Sequence, residues 1–96
     1  MENKTRVHII ISGRVQGVAF RFFAEKRAVA LAVAGWVRNL SNGSVEIMAE
    51  GDRANLELFV DELRKGPRLA LVEDVDVIWE DYTGEFQNFS VRLFDG

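Results

Sequence analysis

The chain has 96 residues, a length sufficient for one hydrophobic core and too short for two domains. Hydrophobic residues make up 48% of it and aromatic residues 10%, which is ordinary for a globular protein and argues against disorder. The formal net charge of −3 argues against broad electrostatic binding to nucleic acid or anionic lipid, and the absence of cysteine excludes disulfides and cysteine-ligated metals.

The chain begins with a polar segment, Met1–Arg6, and carries no long apolar run. The apolar stretch Ile9–Ile11 is far too short for the core of a signal peptide or for a membrane span. We therefore expect a single domain over residues 1–96 that acts in the cytoplasm and has no membrane partner.

The first two predicted elements are a strand and a helix. Val7 to Ile11 is a largely β-branched run, which predicts a strand buried on both faces. A helix is predicted over residues 20–32, because apolar residues recur there at helical spacing, namely Phe20, Phe23, Ala24, Ala28 and Leu31.

A β-hairpin is predicted next. After Gly35, a second strand runs from Trp36 to Leu40, and Asn42-Gly43 predicts a type I′ turn with positive φ at both central residues. In the third strand, Ser44 to Glu50, buried and exposed positions are expected to alternate, with Val45, Ile47 and Ala49 on the buried face.

A second helix and two further strands complete the predicted elements. Asp52 is a suitable N-cap for the helix, Gly66-Pro67 ends it, and its apolar stripe consists of Leu56, Phe59, Val60 and Leu63. The fourth strand carries alternating Val75, Val77 and Trp79, and the short fifth strand carries Phe89, Val91 and Leu93.

The order of these elements is β-α-β-β-α-β followed by an extra C-terminal strand. Right-handed crossovers in the two β-α-β units place both helices on one face of a mostly antiparallel sheet. The predicted fold class is therefore α+β, with a ferredoxin-like sandwich. Because this fold hosts many unrelated functions, the site must decide the activity.

The segment from Gly13 to Arg21 connects the first strand to the first helix and has the features of an anion-binding site. No Ser, Thr, Asp or Asn is present there to cap the helix, and Arg21 places a positive charge in the first helical turn. A bound phosphate or carboxylate would satisfy the free N–H groups and the guanidinium together. A tight turn followed by a solvated arginine explains the same residues, and the residue pattern alone leaves both interpretations open.

Two longer motifs resemble the signatures of the acylphosphatase family. Residues 13–21 read Gly-Arg-Val-Gln-Gly-Val-Ala-Phe-Arg, similar to the first signature, and residues 35–39 read Gly-Trp-Val-Arg-Asn, similar to the second. The second motif continues as Gly43-Ser44-Val45-Glu46 and Ala49-Glu50-Gly51, and the likeness extends through Gly66-Pro67 to residues 89–92. The resemblance covers nearly the whole chain.

The resemblance implies a metal-independent hydrolase that cleaves acyl phosphates into a carboxylate and inorganic phosphate without a covalent intermediate. It implies that Arg21 holds the phosphate and that Asn39 orients the attacking water. The loop backbone at Val15, Gln16, Gly17 and Val18 is expected to bind the phosphoryl oxygens. No cofactor and no metal are expected, the partner is a small-molecule acyl phosphate rather than nucleic acid, and the expected state is a monomer.

The chain departs from the family pattern at two positions. Ala32 stands where many members have a glycine that ends the first helix in a left-handed conformation, so this helix is expected to end differently. Leu40 stands where some members have a hydroxyl residue. Neither departure changes the residues Arg21 and Asn39 themselves.

Several alternatives stand beside this interpretation. His8 is expected to be structural or solvent-facing, and Asn39 could serve the adjacent turn instead of a water. The acidic residues of the fourth strand could hold a cation, but we expect Asp74, Asp76 and Glu80 to line a solvated face. Phe20 and Phe23 are expected in the core, with Phe22 partly exposed. Rival functions are a non-catalytic phosphate-binding regulatory module and, disfavoured by the acidic charge balance, an RNA-binding sheet.

Overall fold

The computed structural model describes residues 3–93, so Met1 and Glu2 of the predicted polar segment lie outside the described residues. It contains two helices and five strands in the predicted order. In chain order they are β1 (Lys4–Arg14), α1 (Phe20–Ala30), β2 (Ala34–Asn39), β3 (Val45–Asp52), α2 (Arg53–Lys65), β4 (Leu71–Glu80) and β5 (Phe89–Arg92).

The sheet has the strand order β4-β1-β3-β2-β5. β1 pairs antiparallel with β3 and β4, β2 pairs antiparallel with β3, and only the short β5 runs parallel to its neighbour β2. Both helices pack on the face that carries Val7, Ile9 and Ile47, where the main hydrophobic core lies. The prediction of a ferredoxin-like sandwich with an extra C-terminal strand is confirmed.

The first strand is buried completely on one face only. Val7, Ile9 and Ile11 have no exposed surface, whereas His8 and Ile10 on the opposite face are half-buried. The prediction of burial on both faces is therefore wrong: the β-branched run reflects strand propensity as well as burial, and no helix covers the second face.

Helix α1 ends at Ala30, two residues before the predicted end, in a Schellman motif. Ala32 adopts a left-handed conformation with φ 56°, and the N–H groups of Ala32 and Val33 donate to Val29 at 3.2 Å and Ala28 at 2.9 Å. The expectation that this helix ends without a left-handed residue is wrong. A left-handed end is present and is made with an alanine.

The hairpin between β2 and β3 is not a type I′ turn. Gly43 has φ 92°, but Asn42 has no positive φ, and the Gly43 N–H donates to the Leu40 carbonyl at 3.2 Å. The Asn42 side chain accepts the Ser44 N–H at 2.9 Å. These contacts describe a three-residue loop with a glycine in the left-handed region, the second common way to close a hairpin.

The remaining elements follow the predictions closely, with three differences. The alternation expected in β3 fails at Glu50, which is buried although it was expected on the exposed face. All of Leu56, Phe59, Val60 and Leu63 are buried in α2, but Asp52 makes no capping hydrogen bond through its side chain. Leu93 follows the end of β5 and is exposed, so the predicted alternation stops at Val91.

The acidic residues of β4 are exposed to solvent, as predicted. Asp74, Asp76 and Glu80 are all exposed on β4, which is an edge strand. No helix among residues 3–93 combines the length and apolarity needed to cross a membrane.

The segment that leads from β4 to β5 is held by a buried carboxylate. Glu50, 3% exposed, accepts hydrogen bonds from the N–H groups of Thr83 and Gly84 at 2.9 and 3.0 Å and from the Thr83 hydroxyl at 2.8 Å. Arg6 donates to the same carboxylate at 3.3 Å. These bonds carry the chain across the end of the sheet and place β5 beside β2.

Candidate active site

The loop between β1 and α1 presents backbone N–H groups that no residue in the described range 3–93 accepts. Ala19 occupies the N-cap position with φ 62° and forms no side-chain cap. Gly17 has φ 73°, which a glycine adopts without strain. Within the part of the chain that the structure describes, the N–H groups of residues 15–19 form no hydrogen bond. Such a row of free amides at a helix N-terminus is suited to an anion.

Arg21 is the second residue of α1 and is half-buried. Its Nη1 donates to the backbone carbonyl of Arg92 at 3.0 Å, which fixes the guanidinium against the end of β5. A guanidinium has further N–H donors in the same plane, and these remain available for a ligand. The first turn of α1 contains no acidic residue that could neutralise this charge.

Asn39 is the last residue of β2 and pairs with Val45 of β3. Its Oδ1 is buried and has no hydrogen-bond partner among the described residues. A buried acceptor without a partner is uncommon in a folded protein and is a sign of a missing ligand or water. Asn42, not Asn39, is the asparagine whose side chain accepts a hydrogen bond within the adjacent turn.

One cavity of about 200 Å³ brings these groups together. It is lined by the loop, the start of α1, the end of β2 and one residue of β5: Val15, Gly17, Ala19, Phe20, Arg21, Phe22, Asn39 and Val91. Four residues predicted for the site are thus found around one cavity, Val15, Gly17, Arg21 and Asn39. Gln16 and Val18 belong to the same loop but do not line the cavity.

Three side chains contribute to this region in ways that the sequence did not indicate. Val91 supplies a wall from β5, Phe22 lies 64% exposed at the cavity, and the Gln16 side chain donates to the carbonyls of Leu40 and Ser44. The sequence could have suggested that Phe22 lies at the cavity, because it is an aromatic residue expected to be partly exposed in the first turn of the helix. No local sequence pattern indicates the contacts of Gln16 or Val91, because both residues contact segments that are distant in the sequence.

His8 makes a structural contact, as expected from the sequence. The His8 Nε2 contacts the Glu46 Oε2 at 2.6 Å, and the hydroxyls of Ser12 and Ser44 contact each other at 3.3 Å. Partial burial raises the pKa of Glu46, but hydrogen bonds from His8 and Arg38 outweigh it and leave that pKa below its usual value. His8 is therefore part of a structural hydrogen bond on the helix-free face of the sheet.

The acidic and aromatic alternatives also find structural explanations. Residues 3–93 contain no group of three or more His, Asp or Glu side chains arranged to hold a metal ion. Phe20 is buried and Phe23 packs against the core, with ring centroids 5.9 Å apart in an edge-to-face contact. These aromatic rings are part of the packing, as predicted.

Fold and cavity together define a class of protein: a ferredoxin-like sandwich in which a strand-to-helix loop, an arginine and an asparagine line one cavity. The family model described as Acylphosphatase matches residues 7–91. The chain is 46% identical over 91 residues to the acylphosphatase of Pelotomaculum thermopropionicum, a match that covers 95% of this chain and 99% of that protein. It is 52% identical over 87 residues to the acylphosphatase of Salinibacter ruber, covering 91% and 92% of the two chains.

The structural comparison agrees with the sequence comparison. The crystal structure of acylphosphatase from Bacillus subtilis superposes with a TM-score of 0.89 at 38% identity, covering 92% of this chain and 98% of that one. The chain belongs to the acylphosphatase family. It is a hydrolase that converts acyl phosphates into a carboxylate and inorganic phosphate, and its substrate is a small molecule.

Proposed function

We propose that Arg21 and the loop N–H groups of Val15, Gln16, Gly17 and Val18 bind the phosphoryl group, and that Asn39 orients the attacking water. The observation that carries this proposal is the shared cavity, in which an arginine, an asparagine with an unpartnered buried oxygen and a loop of free amides meet.

Phosphate binding is supported by the charge and direction of the donors. The Arg21 guanidinium offers parallel N–H groups that match two phosphoryl oxygens, and its contact with the Arg92 carbonyl restricts its rotation. The loop amides and the N-terminal end of α1 add fixed partial positive charge. These donors are in place before the substrate arrives, so little reorganisation is needed as charge develops on the phosphoryl oxygens.

Water activation requires only orientation in this reaction. An amide side chain is a poor base, but it accepts a hydrogen bond through Oδ1 and donates through Nδ2, and so it can fix a water molecule. The water oxygen forms a bond to phosphorus while the bond from phosphorus to the acyl oxygen breaks. The electron pair leaves with the carboxylate, the water protons pass to solvent, and inorganic phosphate is the second product.

A carboxylate leaves phosphorus without help from a general acid, because it is stable as an anion at neutral pH. Phosphoryl transfer proceeds through a loose transition state, so positioning and charge stabilisation supply most of the catalysis. The residues of the cavity provide these two effects. Its lining contains no residue suited to nucleophilic attack, which agrees with direct attack by water.

The proposal is tested by initial rates of phosphate release from acetyl phosphate in the presence of a chelator. Arg21→Gln is expected to lower kcat/KM by at least about 10²–10³-fold, as for other preorganised donors, and Asn39→Ala is expected to lower kcat by a similar factor. Arg14→Gln serves as the matched control, because Arg14 is an exposed arginine at the start of the same loop that does not line the cavity.

Three results would contradict the proposal. Hydrolysis that survives both Arg21→Gln and Asn39→Ala would exclude these residues from the site. Loss of hydrolysis in the presence of the chelator would contradict the metal-independent mechanism. A wild-type protein that binds inorganic phosphate but turns over no acyl phosphate would favour a regulatory module.

We further propose that the chain acts as one domain over residues 1–96, as a monomer, in the cytoplasm. The single continuous core, with residues from β1, α1, β3 and α2, supports the single domain. The cavity is complete within one chain, which supports a monomer as the active form. Sedimentation equilibrium at the assay concentration and fractionation of cells that express the protein test the oligomeric state and the compartment.

A further inference from the structure

The Gln16 side chain joins the loop between β1 and α1 to the turn that follows Asn39. Its Nε2 donates to the Leu40 carbonyl at 2.7 Å and to the Ser44 carbonyl at 2.8 Å. These carbonyls lie on the two sides of the turn between β2 and β3, and the Leu40 N–H donates to the Ser44 carbonyl at 2.8 Å. One amide group therefore holds both sides of the turn against the loop.

This geometry separates the Gln16 side chain from the phosphate-binding groups. A side-chain amide has two N–H donors and one acceptor oxygen, and here both donors are used by backbone carbonyls. The remaining atom, Oε1, accepts hydrogen bonds and cannot bind an anionic phosphoryl oxygen. Gln16 is also absent from the cavity lining, so its side chain acts at a distance from the substrate.

The loop has few other polar attachments to the rest of the protein. Within residues 3–93, its only backbone hydrogen bond runs from the Phe23 N–H to the Ala19 carbonyl at 3.0 Å, and no other side chain of residues 15–19 forms one. Val15 is buried and anchors the start of the loop in the core. The Gln16 amide is thus the polar link between the loop and the strand end that carries Asn39.

We infer that Gln16 is a positioning residue, which fixes the distance and angle between the phosphoryl group on the loop and the water held by Asn39. In-line attack requires the reacting atoms to lie within a few ångströms of each other in the right direction, and small displacements reduce the rate strongly. The inference rests on the proposed function, because Gln16 acts through Asn39.

The inference is tested with a double-mutant cycle on kcat for acetyl phosphate. Gln16→Ala is expected to lower kcat by roughly 10–100-fold, the cost of misplaced reacting groups. The inhibition constant for inorganic phosphate is expected to change by less than about threefold, because Arg21 and the loop amides remain. In the Asn39→Ala background the same substitution is expected to lower kcat by less than about twofold, because the water it positions is already lost.

Two further variants guard against a loss of folding. Gln16→Met retains the length and bulk of the side chain without its donors, and it is expected to reproduce the kcat loss with an unchanged circular dichroism spectrum. Asn42→Ala is the matched control, since it removes a hydrogen bond of 2.9 Å within the same turn but leaves the link to the loop intact, and it is expected to retain kcat.

The outcomes distinguish this inference from the proposed function. If Asn39→Ala alone leaves kcat unchanged, the proposed role of Asn39 is wrong, and the inference fails with it. If Asn39→Ala is impaired but the Gln16 variants keep full kcat, or lose as much kcat without Asn39 as with it, Gln16 is not a positioning residue. A parallel loss of phosphate binding and kcat would show that Gln16 only maintains the loop, which also overturns the inference.

Discussion

At the scale of single residues, Asn39 stands out because no described residue pairs with its buried side-chain oxygen. Its Oδ1 is buried without a hydrogen-bond donor among residues 3–93. A buried polar group without any partner costs about 1–3 kcal/mol of stability, and a bound water offsets part of that cost. Groups of this kind are found where a protein binds a ligand or water. Stability and the proposed catalytic role therefore make opposite demands at this position.

Replacement of this residue is expected to separate the two demands. Asn39→Val removes the unsatisfied oxygen and places a residue of high strand propensity at the end of β2, so the free energy of unfolding is expected to rise by about 1 kcal/mol. Hydrolysis of acetyl phosphate is expected to be lost in the same variant. Urea unfolding at equilibrium measures the first effect and initial rates measure the second.

A nearby asparagine provides the control for this experiment. Asn42 uses its side-chain oxygen to accept the Ser44 N–H, so Asn42→Val is expected to lower the free energy of unfolding. Destabilisation of Asn39→Val to the same extent as Asn42→Val would show that Asn39 contributes to the turn or strand rather than to the site.

The residues of the site were predictable from the sequence to different degrees. Arg21 attracts attention from elementary electrostatics, because a cation in a first helical turn is unfavourable. Asn39 was found only through the family resemblance, since an asparagine before a turn has an ordinary structural explanation. The contacts of Gln16 could not be predicted, because its partners are backbone carbonyls 24 and 28 residues away, and every residue type has such a carbonyl.

At the scale of secondary-structure elements, the end of α1 adopts a left-handed conformation at an alanine, although that conformation is usually made with a glycine. Ala32 occupies the left-handed region at φ 56°, where a residue with a Cβ is strained by roughly 1–2 kcal/mol. Two hydrogen bonds of the Schellman motif and the packing of buried Val33 and Ala28 hold it there. The sequence lacked the usual glycine signal, and so the way in which the helix ends was predicted wrongly.

This strain gives a prediction for stability. Ala32→Gly is expected to raise the free energy of unfolding by about 0.5 kcal/mol, because relief of the left-handed strain exceeds the added entropy of glycine in the unfolded chain. Ala30→Gly changes the last helical residue, where φ is favourable for alanine, and is expected to lower it by roughly 0.5–1 kcal/mol. Thermal and urea unfolding of the two variants provide the comparison, and equal destabilisation by both substitutions would contradict the account of strain at Ala32.

At the scale of the whole molecule, the alternation of residues and the order of the elements predicted the sheet correctly. The side-chain contacts between neighbouring strands could not be predicted. Antiparallel pairing of β1 with β3 brings His8 opposite Met48 and Ile10 opposite Glu46, and pairing of β2 with β3 brings Arg38 opposite Glu46. Neither set of partners is visible before the strand order is known. The same holds for Glu50, whose partners in residues 83–84 lie beyond two further elements.

The carboxylate of Glu46 connects three strands on the face of the sheet without helices. It contacts His8 of β1 and Arg38 of β2, each at 2.6 Å, and its side chain is only 14% exposed. Partial burial by itself raises the pKa of Glu46, but the hydrogen bonds from His8 and Arg38 exceed that effect, so the folded-state pKa lies below the ordinary value. The folded state therefore binds the proton less readily than the unfolded chain.

The direction of this shift fixes the sign of a pH dependence. A group whose folded pKa is lowered contributes stability above its unfolded pKa, about 4.3 for glutamate, and this contribution is lost as the pH falls through the folded pKa. Glu46→Gln is therefore expected to lower the free energy of unfolding by roughly 1–3 kcal/mol at pH 7, and the difference from wild type is expected to shrink below about pH 4.

Urea unfolding at pH 7, 5, 4 and 3 measures this difference in the free energy of unfolding, with Glu57→Gln as the control. Glu57 forms an exposed pair with Arg53 at 3.2 Å, which is expected to contribute less than about 0.5 kcal/mol at any pH. A Glu46→Gln deficit that stayed constant from pH 7 to pH 3 would show that the side chain acts through packing alone, since protonation would then cost the wild type nothing.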